Sequence, residues 1–181
     1  MKNDLEKIWI EAGYEIFSNE GINGLKIEKI ARQVGKNKSS FYHLFSDIDI
    51  FQEKLLDYHI QRAKLIAIDA SNCKSVEPDL LHLFIDIKQD LLFNKQLRVG
   101  RENLAFEKCF KKANELVEEK FFDIWLKTLG LENQPDIARN FLTLTSENFY
   151  LQITKENLNK DWLLQYLNQL IKFVKDIHTK K

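Results

Sequence analysis

Ile30-Ala31-Arg32-Gln33-Val34-Gly35-Lys36-Asn37-Lys38-Ser39-Ser40-Phe41-Tyr42-His43-Leu44-Phe45 is the stretch whose reading decides the fold of this 181-residue chain. Ile27, Ile30, Ala31 and Val34 share one side of a helix over about 26–33, which Gly35 breaks. Asn37 has the short polar side chain that caps helix N-termini. It opens a second helix over about 37–43 that buries Phe41 and, just beyond, Leu44 and Phe45. So few residues between two short helices give the tight linkage of a helix-turn-helix.

Outward from that pair the chain stays helical. On the N-terminal side Leu5, Ile8, Trp9, Ala12, Ile16 and Phe17 recur at helical spacing, predicting a helix over about 3–19 with Gly21 as the left-handed residue after it. On the C-terminal side Asp47 and Asp49 suit the positive end of a helix over about 47–69. Ser71 to Glu77 is a polar break. Pro78 starts a helix over about 78–93, followed by others over about 96–106, 108–128 (stopped at Gly130), 135–153 (started by Pro135) and 160–178 (capped by Asn159 or Asp161). The expectation is an all-α chain of about nine helices, with a three-helix domain over 1–46 and a helical bundle over 47–181.

Composition agrees. Six Gly and two Pro are too few to punctuate a sheet protein, while 44% apolar residues and 13 Phe supply a sizeable core. Lys and Arg balance Asp and Glu at 27 each, which excludes a wholly cationic nucleic-acid binder but not a local basic face. Such a face is present. Lys26, Lys29, Arg32, Lys36 and Lys38 stand against Glu28 alone, +4 between residues 26 and 43 of a neutral chain. Cations attract phosphate and release counterions. Small hydroxyls at Ser39 and Ser40 approach base edges, Lys38 reaches guanine or phosphate, and Tyr42 and His43 donate to phosphate oxygens. Double-stranded DNA is the partner these types fit, through Lys26, Lys36, Asn37, Lys38, Ser39, Ser40, Tyr42 and His43.

The stretch from Ile30 to Phe45 resembles the helix-turn-helix signature of the TetR/AcrR family of transcriptional regulators: an Ile-Ala pair, a Gly, a small polar stretch, then Tyr, His and Phe. Trp9, Ala12, Phe17 and Gly21 lie where that family's first helix and its terminator fall. The motif covers roughly residues 8–51. Three positions depart from it. Lys26 replaces a small hydroxyl residue at the start of the second helix, Lys36 replaces an apolar turn residue, and Ser46-Asp47-Ile48-Asp49 lacks a lysine after Phe45. These departures imply weaker DNA binding or reliance on Lys36.

The resemblance further implies a repressor released from its operator by a small-molecule effector, and a homodimer formed through the last two helices. The final helix, with Trp162, Leu163, Tyr166, Leu167, Leu170, Ile171, Phe173, Val174 and Ile177, has an apolar surface wider than one stripe. Burial against a second copy and central burial in a monomer both satisfy it. The candidate dimer contacts are Phe141, Thr145, Phe149, Leu163, Leu167, Leu170 and Val174. The candidate effector pocket combines the aromatics Phe84, Phe93, Phe106, Phe110, Trp125 and Phe149 with His59, His82, Arg98, Glu102 and Asn103; a Phe at helical spacing serves equally as core.

Other functions find little here. The four histidines (43, 59, 82 and 178) form no metal motif. His82 and Asp86, one turn apart, lack further ligands. No nucleophile elbow, phosphate loop or dinucleotide fingerprint occurs, so neither an enzyme nor a bound cofactor is expected. Cys73 and Cys109 suit reduced thiols, and no apolar run nears the roughly 18 residues of a membrane span. A cytoplasmic protein with no membrane association is expected. The alternatives are a helical protein-interaction scaffold, which has no use for the basic segment, or a regulator that has lost DNA binding.

Overall fold

A computed structural model describes Lys2–His178; the side chains of Lys2, Asn3, Ile177 and His178 lie outside the described residues, as do Met1 and residues 179–181. Among the described residues there are nine α-helices and no strand. They are α1 (Lys2–Glu20), α2 (Ile27–Val34), α3 (Lys38–Phe45), α4 (Ile48–Asn72), α5 (Leu81–Asp86), α6 (Lys88–Val99), α7 (Leu104–Leu129), α8 (Pro135–Gln152) and α9 (Lys160–His178). The all-α fold and its helix count are those expected.

Two helices differ from expectation. The helix predicted over 78–93 is divided. Pro78 follows a cis peptide in an irregular turn, Val76–Leu80, where Glu77 is extended. The Asp79 carboxylate holds this turn by accepting from the backbone N–H groups of Lys74 (2.8 Å) and Ser75 (3.1 Å), so α5 begins only at Leu81. Ile87 then interrupts the helix. The helix predicted over 96–106 does not form. α6 runs on to Val99, and the Asn103 side chain accepts from the Ala105 N–H at 2.9 Å, capping α7 instead.

The chain forms two compact units: Met1–Ala63 with Gln89–Asn114, and Lys64–Lys88 with Glu115–Lys181. The boundary expected at residue 46 falls inside the first. That unit includes α6 because Phe93 stacks on Tyr14 (centroids 4.3 Å apart) and packs on Phe17 (4.4 Å), both of α1. Gly21 has φ 65° and ψ −158°, not the left-handed helical conformation expected but a region open essentially to glycine alone.

In the second unit Phe84 packs on Phe121 and Phe149 (6.3 and 6.0 Å), and Trp162 stacks on Tyr166 (5.3 Å). Tyr166 donates its hydroxyl proton to the Thr145 carbonyl oxygen at 2.8 Å, tying α9 to α8. Burial pushes that phenol up to about 12. The Glu118 carboxyl, raised by burial, accepts from the Ser146 hydroxyl at 2.9 Å. The Asn159 side chain caps α9 by accepting from Trp162 N–H at 3.1 Å.

Candidate nucleic-acid interface

Gly35 lets α2 end where it does. At φ 68° and ψ 33° it is left-handed. Its N–H donates to the Arg32 carbonyl at 3.2 Å, while Lys36 N–H donates to Ala31 at 2.9 Å. This bond pair is the Schellman arrangement, which closes the helix and turns the chain sharply. Asn37 then starts α3: its Oδ1 accepts from both the N–H and the hydroxyl of Ser40, each at 2.9 Å. Lys26, where a hydroxyl residue is usual in the resembling family, makes no side-chain cap to α2.

α3 is anchored by two fully buried rings. Phe41 meets Trp9 of α1 edge-on at 5.5 Å and Phe51 of α4 at 5.2 Å. Phe45 packs on Phe51 at 4.8 Å. With Phe41 and Phe45 turned inward, positions three and four residues apart on the other side face out. Lys38, Ser39, Tyr42 and His43 are exposed, and Ser40 is half-buried beside its cap. Tyr42 keeps 52% of its surface although it has a large ring.

Two cations of the basic segment are engaged locally. Lys38 bonds Glu28, which holds that carboxyl below its ordinary range, and Lys29 bonds Glu20. Among the described residues Lys26, Arg32 and Lys36 form no ion pair, and all three are exposed. Of the residues proposed from sequence for DNA contact, the structure brings Lys36, Asn37, Lys38, Ser39, Tyr42 and His43 into one exposed segment. Lys26 stands apart at the start of α2, with Arg32 as a further free cation that the motif does not mark.

The residues proposed for an effector pocket do not gather in one compact unit. His59, Phe93, Arg98, Glu102, Asn103, Phe106 and Phe110 belong to the first, and His82, Phe84, Trp125 and Phe149 to the second. Phe93, Phe106, Phe110, Trp125 and Phe149 are core, Phe84 is half-buried, and Glu102, Asn103 and His82 are exposed. Arg98 lies over the Phe110 ring at 5.7 Å. The second unit does contain an open cleft of about 400 Å³, with a floor of Val76, Ile124, Leu164, Leu167 and Ile171 and with Lys74 and Lys127 among its polar lining. No pattern of spacing marks it, because three separate segments form it.

Of the proposed dimer contacts, Thr145, Phe149, Leu163 and Val174 are buried within the second unit, whereas Phe141, Leu167 and Leu170 are half-buried. The exposed apolar residues of α8 are instead Ile137, Leu144 and Leu151.

Residues 10–49 match the family model "Bacterial regulatory proteins, tetR family". The chain therefore carries a tetR-type helix-turn-helix segment. Two solved structures assigned to TetR-family transcriptional regulators share the fold of this chain. One, from Mesorhizobium loti MAFF303099, is 14% identical with a TM-score of 0.61, and the match covers 98% of each chain. The other, from Rhodococcus sp., is 16% identical with a TM-score of 0.57 over 93% of this chain and 99% of that one. No curated protein sequence matches. The likeness in fold spans nearly the whole chain, and among the described residues no helix is long and apolar enough to cross a membrane.

Proposed function

We propose that this chain is a tetR-family regulator, a cytoplasmic repressor that binds duplex DNA through α3, with Ser39, Tyr42 and His43 toward the major groove and Lys26, Arg32 and Lys36 on phosphates. The observation that carries this reading is the outward face of α3, which presents hydroxyl, phenol and imidazole groups while its two phenylalanines are locked beneath. Phosphate contacts position such a helix and base-edge contacts specify its site.

A homodimer would set two reading helices about one DNA turn, roughly 34 Å, apart. Ile137, Leu144 and Leu151, seven residues apart along α8, offer an apolar stripe for it. An effector would enter the cleft floored by Leu164, Leu167 and Ile171, and would release DNA by favouring a state in which the reading helices are wrongly spaced. The test is fluorescence anisotropy on duplexes from upstream of the protein's own coding sequence, at two salt concentrations. Binding that is site-dependent and falls steeply with salt is expected. Equal, weak binding to every duplex would overturn the reading.

A further inference from the structure

The two helices that grip α3 are themselves tied together by one buried carboxylate of α6. α1 reaches α3 through Trp9 and α4 reaches it through Phe51. Further along the same helices, Tyr14 of α1 and Arg62 of α4 both converge on Asp90, which is 2% exposed. Oδ1 of Asp90 accepts from the Tyr14 hydroxyl at 2.8 Å and from Arg62 Nε; Oδ2 accepts from Arg62 Nη2 at 2.7 Å. A bidentate Arg–carboxylate pair fixes orientation as well as distance.

The surroundings leave this junction little freedom. The Arg62 guanidinium lies over the rings of Tyr14 and Tyr58, at 5.6 and 5.9 Å. His59 Nδ1 lies 2.7 Å from the Tyr14 hydroxyl oxygen. His59 Nε2 lies 3.0 Å from Asn94 Oδ1, so α6 is joined to α4 a second time. His59 and Tyr14 both stack on Phe93.

We infer that Asp90 is a positioning residue for DNA recognition: by holding Tyr14 and Arg62 at once, it sets the angle between α1 and α4 and so the seat of α3 between Trp9 and Phe51. The premise that α3 reads DNA comes from the proposed function; the clasp itself does not depend on it. α3 makes no contact of its own with the carboxylate. Asp90 therefore acts through the two helices and not as a DNA ligand.

Asp90→Asn keeps the shape and an acceptor for Tyr14 but turns an amide toward Arg62. Tyr14→Phe removes one hydroxyl and keeps the ring on Phe93. Affinity for the operator duplex should fall at least tenfold in Asp90→Asn and by part of that in Tyr14→Phe. The double variant should be no worse than Asp90→Asn, and the salt slope should be unchanged because no phosphate contact is lost. Leu97→Val, which trims α6 outside the clasp, serves as the stability control and should bind like the parent. Native affinity in both clasp variants would refute the positioning role, as would an equal loss in Leu97→Val at matched melting temperature.

Should Asp90→Asn fail to fold, Tyr14→Phe decides. Should the parent bind no duplex, the proposed function fails but the clasp is still tested, by amide chemical shifts of Lys38–Phe45 in the free protein. Tyr14→Phe should move them and Leu97→Val should not; unmoved shifts in Tyr14→Phe would overturn the inference.

Discussion

The first compact unit draws Tyr14, His59, Arg62, Asp90 and Asn94 together inside it, while the second turns Ile137, Leu144, Leu151 and Phe173 out to solvent. The first unit also leaves apolar residues exposed, Val99 and Leu104 among them, but the second sets Ile137, Leu144 and Leu151 in one stripe along α8. A buried polar cluster is costly unless every group is paired, and when paired it favours one geometry over its neighbours. Exposed apolar area carries no such directional demand and gains by being covered. The unit that must present α3 at a fixed angle therefore invests in orientation, and the unit proposed to meet a second copy keeps adhesive surface.

The largest effect expected in the first unit lies beneath the reading helix. Phe41→Ala removes a ring with no exposed surface, so it should cost about 3–5 kcal/mol. That corresponds to a fall of roughly 10 °C or more in melting temperature. A shift of only a degree or two, read by calorimetry, would mean that α3 is held by something other than its aromatic seat.

Acid should separate the two units next. Burial lowers His59 to about 4, whereas the unfolded chain takes up that proton near 6.5. Between those values the unfolded state holds more protons. Stability should therefore fall as the pH drops through that window, by up to about 3 kcal/mol, and His59 should contribute no further dependence below it. Urea unfolding at a series of pH values should show the slope, and His59→Gln should flatten it; an identical slope in that variant would place the acid sensitivity elsewhere.

Smaller changes sharpen the contrast. Gly35→Ala forces a β-carbon onto a left-handed residue and should cost about 1–2 kcal/mol, with a loss of DNA affinity because the turn sets where α3 begins. Leu144→Ser, on a residue 69% exposed, should leave the stability of the isolated chain within about 0.5 kcal/mol. In sedimentation it should shift a dimer toward monomer. An unchanged oligomeric state would leave α8 without the role proposed for its stripe.

Local devices were legible in the sequence, and distant ones were not. Gly35 and Asn37 act on their immediate neighbours, so residue type and position were enough to place the ends of α2 and α3. The same holds for Asn159 before α9. The Asp90 clasp joins residues 14, 59, 62, 90 and 94, none at a spacing that a motif would mark; its faint signal is one acid directly before Leu91-Leu92-Phe93. By residue type His59 suits orienting a ligand, but its ring nitrogens face Tyr14 and Asn94. Pro78 read as a helix start because prolines favour that position, yet the Asp79 carboxylate holds a turn there that delays α5 by three residues. Helix periodicity likewise marked Thr145, Phe149 and Leu163 as interfacial, since it reports which side is apolar and not what covers it.

The most direct test of the account is a titration of labelled protein with its operator duplex, followed by amide and side-chain chemical shifts. Perturbations concentrated from Lys36 to His43, with the Tyr42 ring among the strongest and Phe41 little changed, are the predicted result. Perturbations centred on α8 and α9, or spread evenly over exposed lysines, would contradict it.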